Sequence, residues 1–319
     1  MNVYTEVFFE NPQQADVLFK RMVSVIELEI SSYCNRRCGF CPNSFIDRIE
    51  KRTFMDDALF HGILAQLDAL KWDGALSFHR YNEPLADRAY LLRRMEECRA
   101  MAPTAKVHLY TNGDYLDTDY LAEIYDRGCR NLIYTVYLQE GKPWDDQAAV
   151  AAMIERLKRL GLTSGEWVAS RPGCHVAKVA YRDVSFTMRS VNYFTPLRED
   201  RALASNRGGS LDINTEYVRI SPCMKPFAEM QIEVDGTLMP CCECRSDYEP
   251  HRAYAMGKLK PGDSLVAAWA GKTYVDWRRS LFSFGEKPAP CNNCTVAQLP
   301  DTPELRENVE KLRRHVGIA

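Results

Sequence analysis

Three cysteines within eight residues, Cys34-x3-Cys38-x2-Cys41, constrain this chain more than any other feature. They stand in a short loop after the strand-like run Val23 to Ile30. Thiols packed that closely make poor disulfide partners for one another. They can instead grip three corners of an iron–sulfur cube and leave the fourth iron without a protein ligand. An iron with an open position can chelate a further molecule, which is a reason to have three cysteines and not four. A structural zinc usually takes four protein ligands, often as Cys-x2-Cys pairs, so a zinc knuckle and three unrelated buried thiols are the competing readings.

The rest of the composition narrows the class. With 319 residues, 46% hydrophobic and 26% charged, the chain suits a globular protein of one large domain with a smaller appendage. A net charge of −2 gives no reason to expect nucleic acid or an anionic membrane as partner. No apolar run reaches transmembrane length, and Met1 to Phe19 lacks a signal-peptide layout. A cytoplasmic location follows as the expectation, and there twelve cysteines argue for metal or catalysis over disulfides.

Residues 1–22 read as a lead-in. Beyond the first strand, helical spacing covers Met55 to Leu70, Ala89 to Met101, Asp119 to Arg127 and Gln147 to Leu160. Strand patterns cover Ala75 to Phe78, Lys106 to Tyr110 and Asn131 to Tyr137, with weaker ones at Val176 to Ala180 and Val184 to Met188. Strands alternating with helices predict βα units on a parallel sheet. The number of units suits an α/β partial barrel of about six strands, (β/α)6, over residues 23–212. In such barrels the working residues sit at the carboxyl ends of the strands, where the cysteine loop is placed.

The last third differs. Cys223 precedes Met230 to Pro240, a hairpin pattern turning at Asp235-Gly236. Cys241, Cys242 and Cys244 follow, then a helical stretch near Leu265 to Leu281 and the knuckle Cys291-x2-Cys294. The hairpin folds Cys223 back beside Cys241, and the knuckle can close a four-cysteine site. That set can ligate a second cluster fully or a zinc ion, and spacing alone leaves both open. Residues 213–300 form this small unit, and 301–319 a polar helical tail.

Cys34-x3-Cys38-x2-Cys41, with Phe40 before the last cysteine, resembles the signature loop of radical S-adenosylmethionine (SAM) enzymes. In that family the open iron is chelated by SAM, whose reductive cleavage gives a radical that takes a hydrogen atom from the substrate. The resemblance implies that Phe40 contacts the adenine. Tyr81-Asn82-Glu83 is similar to the family's Gly-Gly-Glu segment, with Glu83 on the SAM amino group and Asn82 beside it. Thr111-Asn112-Gly113 is similar to its Thr-Asn-Gly, and Thr135 stands where relatives place Ser or Thr near SAM. Cys223, Cys241, Cys291 and Cys294 resemble the Twitch domain, the short relative of the SPASM domain, which moves the second site to a [4Fe-4S] cluster. The implied cofactors are therefore two [4Fe-4S] clusters and SAM, with an external one-electron donor of the flavodoxin or ferredoxin type.

The reaction is read from the spare residues. Seven cysteines serve the clusters; Cys98 and Cys129 read as core packing and Cys174 is uninformative. Cys242 and Cys244 follow ligand Cys241 closely, and Cys244 is the expected hydrogen-atom donor of an epimerase acting on a carbohydrate-like molecule or glycosylated antibiotic. The alternative is a dehydrogenase, in which the second cluster accepts an electron and Arg207, in Ser205-Asn-Arg-Gly-Gly209, holds or deprotonates a substrate hydroxyl. Peptide maturation is a third reading, opposed by a lead-in too short for a peptide-recognition domain. A two-cluster electron carrier is opposed by the open iron.

Overall fold

The computed structural model describes residues 14–138, 143–162, 165–194, 196–198, 201–202 and 204–315. Most of the lead-in thus lies outside the described residues. After helix α1 (Ala15–Met22), strands β1 (Val25–Leu28), β2 (Ala75–Ser77), β3 (Lys106–Thr111) and β4 (Asn131–Thr135) alternate with helices α2 (Asp57–Ala69), α3 (Arg88–Met101), α4 (Thr118–Asp126) and α5 (Asp146–Arg159). Then come β5 (Gly165–Arg171), β6 (Cys174–Val179), β7 (Ser185–Val191) and a ribbon of β8 (Pro196–Arg198) and β9 (Arg201–Ala202) outside the main sheet. The last part holds α6 (Lys225–Ala228), β10 (Glu229–Ile232), β11 (Thr237–Met239), β12 (Gly257–Lys258), α7 (Leu265–Ala270), α8 (Lys272–Leu281) and α9 (Pro303–His315).

Each helix of the βα units starts on an aspartate. Asp56, Asp87, Asp117 and Asp145 accept the backbone N–H of Leu59, Tyr90, Tyr120 and Ala148 respectively. Such caps contribute about 1 kcal/mol each. They also fix the loops at the carboxyl ends of the strands, the mouth where the cysteine loop lies.

One ten-stranded sheet organises the chain. Six strands run parallel in the order β10-β1-β2-β3-β4-β7, with β11 and β12 antiparallel on one side and β6 and β5 on the other. The expected α/β partial barrel of about six strands is thus present, its six parallel strands forming an open sheet. Its two weaker strands, β6 and β7, form an antiparallel hairpin and not two βα units. The hairpin expected as part of a separate cluster unit lies in this same sheet: β10 pairs with β1 from Val25↔Glu229 to Leu28↔Ile232. Its turn needs Gly236 at φ +86°, because a Cβ there would meet the Leu259 carbonyl at 2.3 Å.

Alternation along the strands separates an apolar face from a polar one. Ile26, Leu28, Leu76, Val107, Leu109, Leu132, Phe186, Met188, Met230 and Ile232 are buried in the main core with the helices. The intervening positions carry Glu27, Ser77, Tyr110, Thr135, Arg189 and Gln231. A concave face so polar is not filled like the interior of a closed barrel; it suits a polar ligand. Cys98 and Cys129 are each 1% exposed and belong to the core, as expected. Among the described residues no helix is long and apolar enough to cross a membrane.

Candidate active site

One cavity opens at the carboxyl ends of the parallel strands. Cys34, Cys38, Cys41 and Phe40 line it together with Asn82, Glu83, Asn112, Thr135 and Arg207. Residues read from five separate stretches of sequence therefore share one space. Its wall also holds His79, Arg80, Tyr110, Tyr137, Arg189 and Tyr193, which sequence reasoning missed. All sit within three residues of the carboxyl end of β2, β3, β4 or β7, and that position is the signal that could have found them.

The cysteine loop is held from behind. Cys41 N donates to the Cys38 carbonyl at 2.9 Å and Cys34 N to the Arg48 carbonyl at 3.1 Å. Arg48, 7% exposed, bridges Glu29 Oε1 at 2.9 Å and Asp247 Oδ2 at 2.7 Å. It thereby ties the loop to β1 and to the segment that follows Cys244. Burial pushes the Cys34 thiol up to about 11, so its thiolate comes with the metal.

Glu83 is 3% exposed, and burial raises its carboxyl to about 7. Three donors nevertheless aim at it: Thr111 Oγ1 at 2.6 Å, Asn112 N at 2.8 Å and Leu85 N at 3.0 Å. Asn112 donates from Nδ2 to Asn35 Oδ1 at 2.8 Å, and Thr135 Oγ1 accepts from Arg189 Nε at 3.0 Å. Asn82 spends its side chain on its own turn, accepting from Arg80 N at 2.9 Å and donating to the Phe78 carbonyl at 3.2 Å. Phe40 stacks on Tyr193 at 4.0 Å between centroids, with Tyr137 at 5.6 Å. His79 stacks on Tyr110 at 4.3 Å; burial, with Arg189, Arg80 and Arg207 near it, lowers it to about 3, so it is neutral.

Arg207 faces the cavity from a left-handed backbone, φ +50°. Its Nη1 donates to Glu243 Oε1 at 3.2 Å, and Ser205 Oγ donates to Glu243 Oε2. Burial works against its charge, but Glu243 and the neighbouring tyrosine and thiols hold the guanidinium well above its ordinary value. Cys242 and Cys244 are not among the lining residues. Cys244, 1% exposed, is hydrogen-bonded through its sulfur to Cys241. Cys242 lies in a group with Glu27 and Glu229, ligand atoms within 4.8 Å of one another.

Cys223, Cys241, Cys291 and Cys294 also converge. Cys291 lies within electrostatic reach of the other three. Cys223 N donates to the Leu281 carbonyl and Cys291 N to that of Pro288, both at 2.9 Å. Four thiolates on one zinc at about 2.3 Å would hold their sulfurs about 3.8 Å apart. Among the described residues the Glu27, Glu229 and Cys242 trio is the group that closes to within 4.8 Å; neither cysteine group does. The site is also flanked by buried cations that lack a carboxylate, Arg219 and Lys287, which suits an anionic cluster.

Residues 223–295 match the SPASM family model, an iron–sulfur cluster-binding domain. The chain is 28% identical over 284 residues to the S-adenosyl-L-methionine-dependent 2-deoxy-scyllo-inosamine dehydrogenase of Niallia circulans, covering 86% of this chain and 93% of that protein. The structure of BtrN in complex with AdoMet and 2-DOIA matches with a TM-score of 0.60 at 24% identity, over 86% of this chain and 94% of that one. The chain is similar to radical SAM enzymes and carries a SPASM-type iron–sulfur domain. Its cofactors are SAM and two [4Fe-4S] clusters. The fold also matches histidine-tagged anSMEcpe with bound AdoMet, with a TM-score of 0.51, 14% identity and 93% of both chains covered. The cavity stands against the first cysteine group; none of Cys223, Cys241, Cys291 and Cys294 lines it.

Proposed function

We propose that the enzyme oxidises a secondary alcohol of a hydroxylated, carbohydrate-like small molecule to a ketone. One observation carries this: Arg207, backed by Glu243, lines the cavity, whereas Cys242 and Cys244 do not. A hydrogen-atom donor for epimerisation must touch the reacting carbon, and Cys244 is instead turned onto Cys241. The epimerase expectation built on Cys244 gives way to the dehydrogenase. The likeness to a dehydrogenase of an inosamine supports the same choice.

SAM and the two clusters supply hydrogen-atom abstraction from carbon and a one-electron sink. Cys34, Cys38 and Cys41 would hold the first cluster, and Cys223, Cys241, Cys291 and Cys294 the second. Glu83 would take the SAM ammonium and Phe40, with Tyr193 and Tyr137 beside it, the adenine, while Asn82, Asn112 and Thr135 would frame the cofactor. Arg207, held cationic, donates to the substrate oxygen and does not act as a base. Glu243 does not line the cavity and stands 3.2 Å behind Arg207, so it receives the hydroxyl proton through the guanidinium, which passes on one of its own N–H protons as it takes up the substrate's. His79, Tyr110 and Arg189 meet the remaining hydroxyls. The functional division falls near residue 212, with the electron entering from a flavodoxin- or ferredoxin-type donor.

The test is product analysis in D2O under anaerobic conditions, with dithionite, SAM and 2-deoxy-scyllo-inosamine. A ketone, formed with one 5′-deoxyadenosine per turnover, is expected. An inverted alcohol carrying one solvent deuterium at the inverted carbon would reject the dehydrogenase and restore the epimerase.

A further inference from the structure

Two cations are buried in the SPASM domain with no acid beside them. Arg219 is 1% exposed and spends its guanidinium on backbone carbonyls: Ser221 at 3.1 Å, Cys294 at 3.3 Å, Val296 at 2.5 Å, Pro222 at 2.7 Å and Ala297 at 3.2 Å. Lys287 is 5% exposed, and its Nζ donates to the carbonyls of Ser283 at 2.5 Å and Gly285 at 2.7 Å. Among the described residues neither forms an ion pair. Both stand against the second cysteine group. Arg219 is bonded to the carbonyl before Cys223 and to that of Cys294, and its N–H donates to Asn292 O at 2.7 Å, between Cys291 and Cys294. The Lys287 ammonium holds the Gly285 carbonyl, and Gly285 N donates at 2.9 Å to the carbonyl of Ile220, three residues before Cys223; Lys287 itself stands four residues before Cys291, and its charge is felt at both thiols. Burial and the Arg219 guanidinium push it down to about 8, which leaves it charged at neutral pH.

An unpaired buried cation is strongly unfavourable, and removing its counter-charge costs more than the pair is worth. The anion that balances these two is the four-thiolate cluster itself, which gains one further negative charge on reduction. We propose that Lys287, together with Arg219, raises the reduction potential of the auxiliary cluster and so makes it an acceptor for the substrate's electron. This rests on the dehydrogenase reading. In that step one electron leaves the substrate radical and enters the oxidised cluster, while the hydroxyl proton leaves to Glu243. Lys287 is a positioning charge; it touches neither substrate nor SAM.

Arg219 braces five carbonyls, so its variants would disturb the fold, and Lys287 is the residue to change. Lys287→Met and Lys287→Arg are reconstituted anaerobically, counted for iron and titrated by EPR without substrate. Lys287→Met is expected to keep both clusters and to lower the reduced-to-oxidised ratio of the auxiliary cluster at fixed poise about tenfold, 59 mV for a one-electron couple. Lys287→Arg should stay near wild type, and the first cluster should not move. If Lys287→Met loses its cluster, Lys287→Gln, whose amide can still donate to a carbonyl, carries the same titration. An unchanged auxiliary potential in the neutral variant overturns the proposal. So does an equal shift of both clusters, or a shift in Lys287→Arg as large as in Lys287→Met. Because the potential is read without substrate, a failed dehydrogenase reading leaves the shift in place, and a failed charge effect leaves ketone formation in place.

Discussion

Glu83→Gln separates the two things this carboxylate does. Holding it near 7 against an ordinary 4.5 costs the ionised fold about 3 kcal/mol. The folded value is the raised one, so the stability is complete below about 4.5 and is lost as pH rises through about 7. In the absence of SAM, Glu83→Gln should therefore be at least as stable as wild type at pH 8. Part of the gain is spent, because a Gln N–H would face one of the three donors aimed at this position. SAM binding should move the other way. A charge-assisted bond to the SAM ammonium contributes about 1.5 to 3 kcal/mol, so affinity should fall about 10- to 100-fold. Wild-type affinity should also weaken about tenfold per pH unit below 7, as the carboxylate takes up its proton. Glu83→Gln should bind with no such slope. Anaerobic calorimetric titration between pH 5.5 and 8.5 reads both effects. If Glu83→Gln binds SAM as tightly as wild type, or keeps the slope, the carboxylate is not the ammonium partner.

Other outcomes follow from the same geometry. Wild-type protein should hold about eight irons after reconstitution; replacing Cys34, Cys38 and Cys41 by Ala should leave about four and abolish SAM cleavage, by iron count and 5′-deoxyadenosine assay. Glu243→Gln should lower ketone formation about 100-fold while 5′-deoxyadenosine still forms, by mass spectrometry of both products. Arg48→Ala should destabilise the fold by about 3 to 5 kcal/mol, since it strands Glu29 at 1% exposure, and denaturant titration checks it.

The βα order was legible because apolar periodicity and four aspartate caps agree at each unit, as at Asp56 before α2. Strand β5 was not: Gly165 to Arg171 shows no apolar alternation, lies at the sheet edge and is mostly exposed, with a bulge between Trp167 and Ala169. The stretch Leu265 to Leu281 read as one helix because its apolar spacing continues, but the extended backbone at Gly271 divides it in two. The pairing of β10 with β1 spans some two hundred residues, a distance over which local pattern carries no register. In the site, cysteine spacing was decisive because metal chemistry fixes it. The direction of the Cys244 thiol was not legible: closely spaced positions after a hairpin can each point either way, and only the fold turns this one onto Cys241. Tyr137 and Tyr193 each stand two residues past a strand end, after β4 and β7, but local pattern does not say which of these loops turns into the cavity.

The account stands on the electron's destination. The most direct measurement is EPR of samples frozen after a single turnover with SAM and 2-deoxy-scyllo-inosamine, started with one reducing equivalent per enzyme, alongside the ketone formed. The predicted result is a reduced auxiliary cluster appearing in equal amount with ketone, and disappearing with it in Arg207→Gln. A solvent-deuterated alcohol formed while the auxiliary cluster stays oxidised would contradict the account.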